Sequence, residues 1–212
     1  MVPKLYAFLV STNIIVLGYA LLFLTSLAMV PLMHSAFPAP AGSPAMNEFM
    51  PMYATITFPM LLSLILFPLL LERGYFRISL SQLGCTFKTQ SAKLSTAIYV
   101  VVLICLLNLF ATTGNQTHFL YLSFFLAVQC LGEDVLFRSV LQRRLHEHFS
   151  AITTIGIVTA LFVFIFHNGS FIDNLLYRVP LGLLMSFVFY KTRSIFPVFA
   201  IHFLNNLYYS LE

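Results

Sequence analysis

Long apolar runs separated by short polar segments dominate this chain, and their lengths predict its secondary structure. A helix needs roughly 20 mostly apolar residues to cross a membrane. Seven segments reach or approach that length: residues 5–32, 52–71, 94–112, 118–141, 151–167, 175–191 and 195–210. The pattern therefore predicts an all-α fold, a polytopic bundle of about seven transmembrane helices.

The composition indicates that lipid is part of the solvent of these helices. The chain is 59% hydrophobic and 8% charged, whereas a soluble domain carries about 25% charged residues. The net charge of +4 comes from few charges of either sign, so it does not indicate a nucleic-acid partner. Cys85, Cys105 and Cys130 lack metal-type spacing, and we expect inert thiols.

The basic residues between the apolar runs predict the orientation. With the N-terminus inside, the inside segments hold nine Lys and Arg and the outside segments hold only Arg178. The positive-inside rule describes this bias, so we expect the N-terminus inside and the C-terminus outside. The first run is too long for a secretory signal and is read as a retained span. Residues 73–93 are long enough for a short surface helix.

Three of the predicted spans carry polar or charged side chains among the apolar ones. A charge at the bilayer centre costs about 2.5–3.5 kcal/mol on the insertion scale, and such residues are functional by default. The fourth span carries two acids and an arginine, the fifth ends with a histidine, and the seventh carries a histidine and an asparagine. These residues are Glu133, Asp134, Arg138, His167, His202 and Asn206.

The spacing of these side chains predicts which of them share a helix face. Asp134 and Arg138 are four residues apart, as are His202 and Asn206, so each pair shares a face and the first can form an ion pair. That ion pair would leave Glu133 as a general base for water.

A hairpin of the fourth and fifth spans predicts a partner for this base. Glu133 and His167 each lie 17 residues from the predicted turn at Ser150. Equal arms place the two side chains at similar height if both arms stay helical.

Each group alone also has a purely structural interpretation. An intrahelical ion pair, a histidine at interfacial water and polar side chains that join two helices are all common. Their occurrence together in the C-terminal half favours a functional site for peptide-bond hydrolysis by activated water.

The polar residues resemble the motifs of the CPBP family, the CAAX proteases and bacteriocin-processing enzymes, also called the Abi family. The family's EExxxR motif appears as Glu133, Asp134 and Arg138, and its HxxxN motif as His202 and Asn206. The resemblance covers about residues 118–210. It divides the single membrane domain into residues 1–95, the first two spans with a basic interfacial loop, and residues 96–212, a CPBP-like helical core.

Three positions differ from the family pattern. Asp134 replaces a second glutamate, Ser139 stands where a glycine often follows the arginine, and Val163 occupies the phenylalanine position of the FxxxH motif that ends at His167. None of the three is a residue on which the family's chemistry depends.

The resemblance implies an intramembrane endopeptidase of the glutamic type. Glu133 and His167 would activate water, His202 and Asn206 would stabilise the oxyanion, and the remaining two motif residues, Asp134 and Arg138, would support Glu133. No metal is expected because an HExxH string is absent, although zinc at Glu133, His167 and His202 is an alternative.

The expected substrate is a peptide or protein associated with the lipid bilayer, and the expected location is a prokaryotic inner membrane. One alternative is a non-catalytic membrane immunity or regulatory protein that retains the family fold. Another is a proton-linked carrier, although the repeats expected of carriers are not evident.

Overall fold

The structure is a computed structural model that describes residues 2–36, 56–86, 90–111, 116–164 and 170–211. These ranges contain seven helices and no strand, so the predicted all-α fold is confirmed. The helices coincide with the seven apolar runs. They are α1 (Val2–Ala36), α2 (Ile56–Gly74), α3 (Gln90–Ala111), α4 (116–146), α5 (Ala151–Phe164), α6 (Phe171–Thr192) and α7 (Ile195–Leu211).

Four of these helices are long and apolar enough to cross a membrane, namely α1, α2, α4 and α6. Helix α5 is apolar but shorter, and α7 has 17 residues. Large apolar side chains also remain exposed on the bundle, such as Leu70 and Ile152. Surfaces of this kind suit lipid, so the chain is an integral membrane protein. The number of spans and their orientation stay predictions.

Helix α4 lies at the centre of the bundle. Residues 132–142 are all buried, and α4 contacts α1, α2, α3, α5, α6 and α7. At Gly132 the neighbouring helix α2 comes so close that an added Cβ would lie 2.7 Å from the Cβ of Leu64. Small residues permit such close approach between membrane helices, so a side chain at this position would push α2 away from α4.

The middle of α4 is not α-helical. Residues Val135–Gln142 form a π-helix, and the amide of Arg143 donates to the carbonyl of Arg138 five residues earlier. A π segment changes the angular spacing of side chains, and such segments frequently occur at functional sites. Therefore a spacing of four residues does not place Asp134 and Arg138 on one face as it would in an α-helix.

Helices α4 and α5 form the predicted hairpin. Helix α4 ends at His146 and α5 begins at Ala151. The hydroxyl of Ser150 accepts a hydrogen bond from the amide of Thr153 at 3.2 Å, which caps the new helix. The predicted turn is confirmed, but the first arm contains the π segment, so the condition that both arms stay α-helical is not met.

The surface helix predicted within residues 73–93 is wrong for the part that the structure describes. Helix α2 ends at Gly74, residues 75–86 form turns, and α3 begins at Gln90. Arg77 and Gly84 both have positive φ values, of 57° and 73°. Left-handed residues interrupt a right-handed helix, and the amide of Ser79 bonds to the side chain of Gln82 at 2.8 Å instead.

The basic turns meet at one end of the bundle. Glu72 at the end of α2 is fully buried and forms ion pairs of 3.1 Å with Arg143 and 2.7 Å with Arg144 near the end of α4. The turn after α2 also reaches the start of α7, where the amide of Ile195 donates to the carbonyl of Gly84 at 3.1 Å. We call this the basic end of the bundle; it holds Arg73, Arg77, Arg143, Arg144, Lys191 and Arg193.

Candidate active site

Helices α4 and α7 bring a histidine between two acids. Nε2 of His202 lies 3.7 Å from Oε2 of Glu133, and its Nδ1 lies 3.5 Å from Oδ1 of Asp134. All three side chains are buried. These separations exceed those of direct hydrogen bonds but are short enough for strong interaction at low dielectric. Residues predicted from two separate motifs therefore lie together.

Gln129 contacts the first acid from the same helix. Its Nε2 donates to Oε1 of Glu133 at 3.2 Å, and its side chain lines the cavity described below. The predictions from sequence did not include Gln129. Its position four residues before Glu133 is the signal that could have identified it, since that spacing places both on one face of the α-helical part of α4.

Asn206 is held by contacts with Cys130 and Asn205. Its Nδ2 donates to Sγ of Cys130 at 3.3 Å, and Nδ2 of Asn205 donates to its Oδ1, also at 3.3 Å. Cys130 is fully buried. We expected Cys130 to be an inert thiol. The structure adds that this thiol packs against Asn206, a predicted site residue. The spacing of the cysteines in the sequence could not indicate this contact.

The ion pair predicted between Asp134 and Arg138 is not formed. Arg138 is fully buried, and none of its guanidinium nitrogens has a hydrogen-bond partner among the described residues. Its guanidinium instead lies over the ring of Phe162 at 5.0 Å, a cation–π contact. The physical reason is the π segment, which begins directly after Asp134 and rotates Arg138 away from the face that the α-helical spacing predicts.

A cavity of about 980 Å³ lies beside these residues. His202, Asn206 and Gln129 line it together with Phe162 and Leu126. Its volume is at the upper end of the range for small-molecule sites, so it has room for several residues of an extended peptide. Polar groups that can activate water thus border a space that can hold a substrate. The remaining walls include Asp173, Leu176, Tyr177, Arg178, Leu181, Asn205, Tyr208, Tyr209 and Ser210.

His167, the fourth predicted catalytic residue, lies outside the described residues, which omit 165–169. Its predicted contact with Glu133 stays a prediction, as does the zinc alternative that includes it. Among the residues that the structure describes, no group of three or more His, Cys, Asp and Glu is arranged to hold a metal ion.

The fold and the site define a class of protein. An imidazole and amide donors border a cavity inside a bundle of apolar helices, and a buried carboxylate lies 3.7 Å from that imidazole; hydrolysis by activated water uses groups of these kinds. The chain is therefore an integral membrane protein whose buried polar site suits a hydrolase.

Comparison with known proteins identifies the family of this region. Residues 115–208 match the family model described as type II CAAX prenyl endopeptidase, Rce1-like. The match includes all six predicted site residues and most of α4 to α7, and the resemblance to the CAAX proteases is confirmed for this region. It covers somewhat less than half of the chain, and α1 to α3 lie outside it. Curated proteins and solved structures give no match.

Proposed function

We propose that the chain is an intramembrane endopeptidase of the glutamic type. It hydrolyses a peptide bond of a membrane-associated protein or peptide by water that Glu133 activates. The observation that carries this proposal is the 3.7 Å approach of Glu133 and His202 across two helices, beside a cavity that His202 lines. The family match to an endopeptidase supports the proposal over a non-catalytic immunity or regulatory role.

The proposed reaction begins with a water molecule at the cavity wall. Glu133 takes a proton from this water while the oxygen adds to the carbonyl carbon of the scissile bond. The carbonyl oxygen becomes an oxyanion, which the Nδ2 donor of Asn206 and the imidazole of His202 stabilise. Glu133 then returns the proton to the leaving nitrogen as the carbon–nitrogen bond breaks.

Two neighbours position these groups in the proposed mechanism. Asp134 lies 3.5 Å from Nδ1 of His202 and orients the imidazole so that Nε2 points toward Glu133. Gln129 holds the other carboxylate oxygen of Glu133. By family resemblance, His167 is a second partner of the water.

The proposed mechanism uses no metal ion. The sequence lacks the HExxH string of many zinc proteases, and Glu133 has an amide and an imidazole as neighbours. Cleavage by the purified chain should therefore survive dialysis against a strong chelator. Loss of cleavage on dialysis and its return with added zinc would support the alternative site at Glu133, His167 and His202.

The proposed location is the inner membrane of a prokaryote, and the direct test of activity uses membranes that contain the full chain. Peptide termini in those membranes are compared by mass spectrometry with termini in membranes that contain the Glu133→Gln variant. We expect a set of new termini that disappears in the variant, since the amide cannot accept the proton from water. Glu147→Gln is the matched control, because Glu147 is an exposed acid at the end of α4. An identical set of termini with Glu133→Gln would contradict the proposal.

A further inference from the structure

The two ends of the helix bundle differ in their polar groups. At the basic end, arginines from α4 surround Glu72 of α2, and the turn after α6 meets the turn after α2. The carbonyl of Arg193 would lie 2.9 Å from a Cβ added at Gly84. The turns after α2, α4 and α6, which carry basic residues predicted to face the cytoplasm, thus lie at one end of the bundle.

The cavity lies toward the opposite end. Its walls include Tyr177 near the start of α6 and Tyr208 near the end of α7, whereas the basic end contains the end of α6 and the start of α7. With a rise of about 1.5 Å per residue, Tyr208 lies roughly 20 Å along the helix axis from Ile195. His202 lies about 10 Å from Ile195 by the same measure.

Tyrosines mark the level of the lipid headgroups at the cavity end. Tyr177, Tyr208 and Tyr209 are exposed and line the cavity, and tyrosine is enriched at membrane–water interfaces. Asp173 and Arg178 line the same region. Arg178 is the one Lys or Arg among the described residues that line the cavity, whereas the basic end holds six. The cavity therefore extends from the membrane-embedded site to an interface that is poor in basic residues.

We propose that the cavity receives its substrates from the outer, non-cytoplasmic side of the membrane. This inference rests on the proposed protease function and specifies its substrate class. The positive-inside rule places the basic end in the cytoplasm, and the cavity leads to the other end. The substrate is a membrane-anchored polypeptide whose scissile bond lies in the outer half of the bilayer, such as an exported peptide or the anchor segment of an exported protein.

Two serine positions at opposite ends allow a direct test of this orientation. Ser210 lines the cavity end and Ser81 lies in the turn after α2, and both are exposed. Ser210→Cys and Ser81→Cys are expressed separately in the full chain, with the unsubstituted chain as the baseline for its three native cysteines. Intact cells are treated with a membrane-impermeant maleimide. Labelling of both variants in detergent provides the reference.

We expect Ser210→Cys to react in intact cells to at least half its extent in detergent, and Ser81→Cys to react only after permeabilisation. The reverse pattern, equal labelling of both variants in intact cells, or labelling of neither would overturn the proposal. This result does not depend on catalysis, so it separates failure of the orientation from failure of the protease function.

Cleavage from one side of sealed vesicles tests the same proposal at the active site. A synthetic membrane-anchored peptide with a prenyl group near its C-terminus is the probe, added to right-side-out and to inverted vesicles. We expect cleavage in right-side-out vesicles and at least tenfold less in inverted vesicles until they are lysed. Faster cleavage in intact inverted vesicles would overturn the outer-face proposal. If lysed vesicles do not cleave the probe, protease activity on that probe fails and labelling alone decides the orientation.

Discussion

Two clusters of buried charge lie along helix α4, and they differ in the lengths of their contacts between opposite charges. At the basic end, the carboxylate of Glu72 has two arginine partners within 3.1 Å. In the candidate active site, His202 lies 3.5 Å and 3.7 Å from two carboxylates. The guanidinium of Arg138 has no hydrogen-bond partner among the described residues.

The difference separates charge that holds the fold from charge that is available for chemistry. A buried ion pair with short contacts joins the helices that carry it, and its loss leaves an uncompensated buried charge. The imidazole of His202, with its longer contacts to both carboxylates, can exchange a proton or bind water without first breaking a short ion pair. The comparison therefore predicts that variants at the basic end change stability, whereas variants at the site change activity.

Glu72→Ala should have the largest effect on stability. It leaves Arg143 and Arg144 without their buried partner, so we expect a loss of about 3–5 kcal/mol in the free energy of unfolding. Glu147→Ala is the matched control, because Glu147 is 55% exposed and pairs with Arg143 on the surface; its loss should stay below about 1 kcal/mol. Denaturation of the purified proteins in detergent measures both. Equal losses would remove the distinction between the two acids.

Asn206→Ala should reduce catalysis while leaving the fold intact. Removal of one oxyanion donor lowers kcat by about 10²–10³-fold, or about 2.7–4 kcal/mol. Asn205→Ala, one residue earlier, should cause a much smaller loss because the amide of Asn205 donates to Oδ1 of Asn206 and is not the proposed donor to the oxyanion. Cleavage rates at saturating probe peptide measure both variants. A larger loss with Asn205→Ala would transfer the proposed donor role from Asn206 to Asn205.

Gln129→Leu should have the smallest effect of the three. It removes the hydrogen bond to Oε1 of Glu133, and bonds to charged groups contribute about 1.5–3 kcal/mol. We expect a fall in kcat of about tenfold or more for cleavage of the probe peptide. A change in KM alone would indicate that Gln129 contacts substrate and does not position Glu133.

The helices were predictable from the sequence because the thickness of the bilayer sets how many apolar residues a spanning helix needs. All seven apolar runs became helices, and the turn at Ser150 was located correctly. The π segment was not predictable, because Val135–Gln142 reads as an ordinary apolar stretch with one arginine. The predicted ion pair of Asp134 and Arg138 failed for that reason, since the four-residue rule assumes α-helical geometry throughout.

The site was predictable to the extent that family motifs mark it. Glu133, His202 and Asn206 were named from sequence; His202 and Asn206 line one cavity, and Glu133 lies 3.7 Å from His202. Cys130 was missed because a thiol in a span becomes informative only when the opposing helix is known. Gln129 was missed although its spacing of four residues from Glu133 could have identified it. Glu72 was missed because its arginine partners lie more than 70 residues away in the chain.

We propose that Glu133 serves chemistry and not folding. Thermal unfolding and probe cleavage, measured together in purified Glu133→Gln, test this role. We predict an unfolding midpoint equal to or above that of the unsubstituted chain, because removal of a functional buried charge often stabilises a protein, and a cleavage rate lower by about 10²–10⁴-fold. A lowered midpoint like that expected of Glu72→Ala, or an unchanged cleavage rate, would contradict the claim.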